Sequence, residues 1–120
     1  MATILVADDE RAIRSLLEMI LTEEGHRVLT AADGRQALER IEREQPDLII
    51  ADVMMPVFDG VALCRRLKAG GLTAHIPVIL MSAAAEAAAR ASGADAFLRK
   101  PFNVDEVEQL VRSFLLRGVP

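Results

Sequence analysis

The chain has 120 residues, 52% of them hydrophobic and 27% charged, and its formal net charge at pH 7 is −4. This length predicts one domain, 1–120, and the aliphatic content excludes an intrinsically disordered protein. The acidic balance argues against nucleic-acid binding, and no apolar run reaches the roughly 20 residues that a bilayer requires. Cys64 is the single cysteine, so an internal disulfide is excluded and we expect a cytoplasmic protein.

The first half of the chain alternates short aliphatic runs with amphipathic segments. Apolar residues recur at helical spacing in segment 11–24, and Gly25 follows as a stop signal. The run 48–51 is wholly aliphatic, which is typical of a strand buried on both faces of a parallel sheet. The pattern predicts, in chain order, a strand at 3–7, a helix at 11–24, a strand at 27–31, a helix at 35–44 and a strand at 48–51.

The second half continues the alternation. Asp59 is expected to cap one helix and Asn103 another, with Glu106 completing a capping box at the second. We interpret residues 117–120 as the start of a linker. The pattern predicts a helix at 60–68, a strand at 77–81, an alanine-rich helix at 83–91, a strand at 96–98 and a helix at 104–116.

Strands that alternate with helices of this length predict an α/β fold with right-handed crossovers. Five strands and five helices in 120 residues fit a flavodoxin-like, doubly wound, five-stranded parallel sheet in the order 2-1-3-4-5. Ligands of such sheets bind outside the carboxyl ends of the strands, at the switch point between strands 1 and 3.

Polar residues follow the predicted strands at this edge of the sheet. Asp8 and Asp9 come after strand 1, Asp52 after strand 3, Ser82 after strand 4 and Lys100 after strand 5. Because parallel strands end at one edge, we expect these five side chains to form a single site.

Three neighbouring carboxylates require a cation. Two unit charges about 4 Å apart repel by about 4 kcal/mol at an effective dielectric of ~20. An all-oxygen donor set with space for water favours Mg²⁺, and the lack of His or Cys in the set disfavours zinc. A carboxylate nucleophile beside a metal, a lysine and a hydroxyl is what phosphoryl transfer to aspartate requires.

Four segments carry the polar residues of this edge: ILVADDE at 4–10, DVMMP at 52–56 with DG at 59–60, MSA at 81–83, and KPF at 100–102. Together they resemble the receiver domain of bacterial two-component response regulators, including the chemotaxis regulators. The resemblance implies that Asp52 is the phosphoacceptor and that Lys100 holds a phosphoryl oxygen, with a cis peptide bond between Lys100 and Pro101. Ser82 and Phe97 take the positions of the switching hydroxyl and the switching aromatic.

The resemblance also implies a ligand set and partners. Asp9 would bind Mg²⁺ directly and Asp8 largely through water, with Asp52 and the backbone carbonyl of Met54 as further ligands. A histidine kinase or phosphotransfer protein would supply the phosphoryl group, and an output domain or protein would read the altered surface. No enzymatic activity is expected beyond the domain's own phosphorylation and dephosphorylation.

The chain departs from the family pattern at two places. Val57 stands where glycine is common, and Ser82 is only 18 positions from Lys100, about one helical turn short of the usual spacing. The missing turn is assigned to the fourth helix. That helix lacks large aliphatic side chains, so we expect a monomer or, after phosphorylation, a weak dimer.

Alternative interpretations remain beside this one. Asp8 and Asp9 could cap the first helix, and Phe97 could be an ordinary packed strand residue. At the level of function, the alternatives are a pseudo-receiver that signals without phosphorylation and a small phosphatase with an aspartate nucleophile. The intact acidic set with Lys100 disfavours the first alternative, and the short chain leaves no space for the substrate-enclosing cap of the second.

Overall fold

The computed structural model of the protein describes residues 1–116, and the predicted linker at 117–120 lies outside them. Strands and helices alternate throughout the described chain. The elements are β1 (Thr3–Ala7), α1 (Arg11–Glu23), β2 (Arg27–Ala31), α2 (Gly34–Glu44), β3 (Leu48–Asp52), α3 (Gly60–Ala69), β4 (Val78–Ser82), α4 (Glu86–Ala91), β5 (Ala96–Arg99) and α5 (Val104–Leu116).

The five strands form one parallel sheet in the order β2-β1-β3-β4-β5, which confirms the predicted topology. Every residue of β3 and β4 is buried, because helices cover both faces of the sheet. The chain adds β2 on one side of β1 and then returns to add β3 on the other side, so the direction in which the sheet grows reverses between β1 and β3. This reversal opens a crevice at the carboxyl ends of these two strands.

The alternation of side chains along each strand builds a core layer on either face. On one face, Leu5 and Ile49 pack with apolar residues of α2 and α3. On the other face, Ile4 and Ile50 pack with apolar residues of α1 and α5. Among the described helices, none is long and apolar enough to cross a membrane.

Two of the predicted helix starts carry the expected caps. The Asp59 carboxylate accepts a hydrogen bond from the Ala62 amide at 2.8 Å, at the start of α3. Asn103 and Glu106 form the reciprocal capping box of α5, with bonds of 2.8 and 3.2 Å. These local signals explain why α3 and α5 begin at the predicted residues.

The predicted start of the fourth helix is wrong. The alanine-rich pattern predicts a helix from residue 83, but α4 begins at Glu86. The Ser82 hydroxyl oxygen accepts hydrogen bonds from the amides of Ala84 (3.2 Å) and Ala85 (3.3 Å). A helix that began at residue 83 would bond the Ala83 carbonyl oxygen to the amide of residue 87, but this oxygen accepts a hydrogen bond of 3.1 Å from Arg99 Nη1 instead. Residues 83–85 therefore form a loop, the β4–α4 loop, and α4 is only six residues long.

Candidate functional site

Three aspartates, the acid cluster, meet at the switch point of the sheet. Asp8 and Asp9 directly follow β1, and Asp52 is the last residue of β3. One carboxylate oxygen of each residue lies within 4.8 Å of the others. Asp8 and Asp52 are 0% and 4% exposed, whereas Asp9 is open to solvent. The predicted convergence of the three acids is therefore confirmed. The carboxylates of Asp8 and Asp52 are buried, and that of Asp9 faces water.

Lys100 supplies a positive charge to this cluster. Its Nζ lies 2.8 Å from Asp8 Oδ2 and 2.9 Å from Asp52 Oδ1, and 3.8 Å from Glu10 Oε1. The peptide bond that joins Lys100 to Pro101 is cis, the form that the resemblance implies. One ammonium group thus links the carboxyl ends of β1, β3 and β5.

Burial and charge act in opposite directions on the ionisation of Asp52 and Lys100. Burial raises the pKa of the Asp52 carboxyl above its ordinary value of 3.8 and the Asp8 charge adds to this, while Lys100 and the Met54 amide partly offset it. Burial alone would lower the pKa of the Lys100 ammonium, but hydrogen bonds to Asp8 and Asp52 raise it overall. The Lys100 ammonium is therefore charged at neutral pH, whereas ionisation of the Asp52 carboxyl is less favourable than that of a free aspartate.

Asp8 has two hydrogen-bond partners, one beside α1 and one in the acid cluster, although no side chain caps α1 itself. Its Oδ1 accepts a hydrogen bond of 2.9 Å from the amide of Glu10, the residue that precedes α1. Its Oδ2 bonds to Lys100 at the same time. Asp8 therefore helps to shape the start of α1 and also belongs to the acid cluster.

Ser82 and Phe97, the two residues assigned to switching, contact other parts of the fold. Ser82 ends β4 at the same edge of the sheet, but its hydroxyl oxygen accepts from the β4–α4 loop. Phe97 on β5 is half-buried against the α3 side of the core and lines a groove of about 370 Å³ beside α5. Their roles in switching stay predictions.

A model of the response regulator receiver domain matches residues 4–112 of the chain. The chain belongs to this family. The family match and the 2-1-3-4-5 sheet agree in identifying a receiver domain of the kind found in two-component systems.

Relatives and solved structures support the same assignment. The chain is 42% identical to a probable transcriptional regulator, ycf27, of Cyanophora paradoxa, over 95% of this chain and 48% of the relative. It spans about half the length of the curated relatives it matches. The receiver domain of a signal transduction histidine kinase from Syntrophus aciditrophicus superposes with a TM-score of 0.95 at 33% identity, covering 99% of this chain and 93% of that one.

A third similar protein carries a metal. It is the receiver domain of a sensor histidine kinase from Pseudomonas aeruginosa, 29% identical, with a TM-score of 0.89 over 95% of this chain and 97% of that one. Its structure has a magnesium ion coordinated in the active-site cleft.

Sequence reasoning missed one contact of the receiver site. Arg14 of α1 donates a hydrogen bond of 2.7 Å from Nη1 to the backbone carbonyl of Asp8. This bond holds the turn that presents the first two aspartates. Helical periodicity could not reveal it, because the acceptor is a main-chain oxygen outside the helix.

Val57 and Gly60 shape the backbone of the connection between β3 and α3. Val57 adopts a φ of 73°, in the left-handed region that a β-branched residue rarely enters. Gly60 opens α3 directly against β3, where a Cβ atom would overlap the carbonyl oxygen of Asp52. The receiver domain therefore depends on Gly60 to keep α3 and the Asp52 backbone in close contact.

Proposed function

We propose that this receiver domain is a phosphoacceptor switch that accepts a phosphoryl group onto Asp52. The donor would be a histidine kinase or a phosphotransfer protein. The observation that carries the proposal is the position of the Asp52 carboxylate, within 4.8 Å of two further aspartates and 2.9 Å from the Lys100 ammonium. Phosphoryl transfer depends mainly on positioning and charge neutralisation, and this arrangement supplies both.

In the proposed step, a carboxylate oxygen of Asp52 forms a bond to phosphorus as the bond from phosphorus to the donor histidine breaks. The histidine nitrogen leaves with the bonding electron pair. Lys100 already contacts both Asp8 and Asp52, so its ammonium is placed to compensate negative charge on the transferred group. We infer that the domain catalyses only its own phosphorylation and dephosphorylation.

The acid cluster fits a Mg²⁺ ion. Its donors are all oxygens, they lie within 4.8 Å of one another, and exposed Asp9 leaves one side open to water. We infer that Asp9 binds the ion directly and Asp8 largely through water, with Asp52 and the Met54 carbonyl as further ligands. A bound Mg²⁺ would neutralise charge on the phosphoryl oxygens. The magnesium ion in the Pseudomonas receiver domain supports this inference.

Phosphorylation would act by shifting an existing two-state equilibrium. The Ser82 hydroxyl would leave its bonds to the β4–α4 loop and approach the phosphoryl group, and Phe97 would turn into the space that becomes free. Because the curated relatives are about twice as long and some are named transcriptional regulators, we infer that a separate output domain or protein reads this change.

The pseudo-receiver alternative is less well supported. A domain that signals without phosphorylation has no need to keep two acids buried around a lysine, since such groups cost folding free energy. Asp8, Asp52 and Lys100 are all present here and in contact.

Intact-protein mass spectrometry after incubation with acetyl phosphate and Mg²⁺ tests the proposal. The wild type should gain one phosphoryl mass that hydroxylamine removes, and Asp52→Asn should gain none. Asp59→Asn is a matched control, because Asp59 lies in the same connection between β3 and α3 and Asn caps a helix equally well. Stoichiometric labelling of Asp52→Asn would refute the assignment, and a wild type that stays unlabelled would favour the pseudo-receiver.

A further inference from the structure

Arg99, the last residue of β5, ties that strand to the start of α4. Its Nη1 donates a hydrogen bond of 3.1 Å to the carbonyl oxygen of Ala83. Its Nη2 forms an ion pair of 3.0 Å with Oε1 of Glu86, the first residue of α4. One guanidinium group therefore holds both ends of the β4–α4 loop.

The same loop is held from the sheet side by Ser82. The Ser82 hydroxyl oxygen accepts from the amides of Ala84 and Ala85, and Ser82 is the register partner of Arg99 in the parallel pairing of β4 with β5. Lys100 follows Arg99 and donates its amide to the Ser82 carbonyl. Neighbouring residues at the end of β5 thus contact the acid cluster and the β4–α4 loop.

We propose that Arg99 is a positioning residue that restrains the switch. It holds the β4–α4 loop, and with it the Ser82 hydroxyl, in the conformation seen here. This inference rests on the proposed function and specifies how the same site is regulated.

The restraint follows from the geometry of the loop. Ser82 can turn towards a phosphoryl group on Asp52 only if its hydroxyl releases Ala84 and Ala85. A shift of that loop also carries its Ala83 carbonyl and the Glu86 carboxylate away from the Arg99 guanidinium. Switching therefore breaks the Arg99 contacts, which stabilise the unphosphorylated state alone.

Arg90 offers a matched control. It also binds Glu86, with Nε 2.8 Å from Oε2, but both residues lie in α4 and move together. Arg90 and Arg99 are 64% and 60% exposed, so glutamine is tolerated at either position. Only loss of Arg99 should release the loop.

Binding of beryllofluoride, a phosphoryl mimic, in the presence of Mg²⁺ measures the restraint. Exposed charge pairs make modest contributions, so Arg99→Gln should bind beryllofluoride about two- to fivefold more tightly than wild type. Arg90→Gln should bind as wild type does, and the affinity for Mg²⁺ alone should be the same in all three proteins. A purely structural role for Arg99 would instead change the Mg²⁺ affinity or lower the beryllofluoride affinity.

Hydrogen exchange of the metal-free protein gives a second readout. The amides of Ala84 and Ala85 should exchange faster in Arg99→Gln than in wild type, and at the wild-type rate in Arg90→Gln. Equal beryllofluoride affinity and equal exchange in Arg99→Gln and wild type would overturn the inference while leaving the proposed function intact. A wild type that fails to bind beryllofluoride would overturn both.

Discussion

Asp52 carries an electrostatic cost in the folded domain that it lacks in the unfolded chain. Burial raises its pKa above 3.8, so the native state binds a proton more readily than the unfolded state does. The contribution of this carboxyl to the free energy of unfolding therefore falls as pH rises through 3.8 and through the raised pKa, and stays low above it. Lys100 offsets part of this cost through its ion pair.

We expect Asp52→Asn to unfold at a higher urea concentration than wild type at pH 7 in EDTA. The difference between the two proteins should shrink as pH falls through the raised pKa towards 3.8, because the native carboxyl of the wild type then binds a proton and its electrostatic cost is relieved. Urea titrations at several pH values provide the measurement. A variant that is less stable than wild type at pH 7, or a difference independent of pH, would contradict the cost assigned to Asp52.

Val57 is a second residue whose native conformation is unfavourable. Its φ of 73° brings a β-branched side chain into the left-handed region, although 71% of the residue is exposed. Asparagine tolerates this region, so Val57→Asn should raise the free energy of unfolding by about 1 kcal/mol. Val57→Ala should gain less, because alanine lacks the short polar side chain with which asparagine forms local hydrogen bonds in this region. Chemical denaturation provides the measurement. Equal gains in the two variants would indicate that loss of exposed apolar surface, and not relief of backbone strain, stabilises the domain.

At the scale of elements, the contact between α3 and β3 positions Asp52, the proposed phosphoacceptor. A Cβ atom at Gly60 would overlap the Asp52 backbone, whereas a Cβ atom at Gly71 would meet nothing within 4 Å. Gly60→Ala should therefore lower the free energy of unfolding by about 1–3 kcal/mol and slow acetyl phosphate labelling, while Gly71→Ala should change stability by about 0.5 kcal/mol or less. If the two variants are equally stable in urea, α3 can shift away from β3 without loss of stability. That result would contradict the role assigned to Gly60.

The acid cluster could be predicted from the sequence, whereas the start of α4 and the contacts of Arg99 could not. The strand pattern fixes where each strand ends, and a parallel sheet brings those ends together, so the acid cluster with Lys100 was predictable. The start of α4 was not, because the Ala83 carbonyl oxygen bonds to Arg99 of β5 and not to an amide of the helix. The Arg99 contacts with Glu86 join residues 13 positions apart, a pairing that neither periodicity nor a short motif signals.

For the whole molecule, the short α4 limits self-association. Its exposed side chains include Ala87 and Ala88, which offer little apolar area, and Glu86 is engaged by Arg90 and Arg99. Burial contributes only about 25 cal/mol per Å², so we expect a monomer and, with beryllofluoride, at most a weak dimer. Sedimentation velocity measures this. A tight dimer that Ala88→Glu dissociates would contradict the expectation.

We propose above all that the sheet edge presents Asp52, and no other acid, as the phosphoacceptor. Borohydride reduces an aspartyl phosphate to homoserine, so peptide mass spectrometry of protein treated first with acetyl phosphate and Mg²⁺ locates the modified residue. Homoserine should appear at position 52, and Asp8, Asp9 and Asp59 should remain aspartate. Homoserine at another aspartate, with position 52 unmodified, would contradict the account.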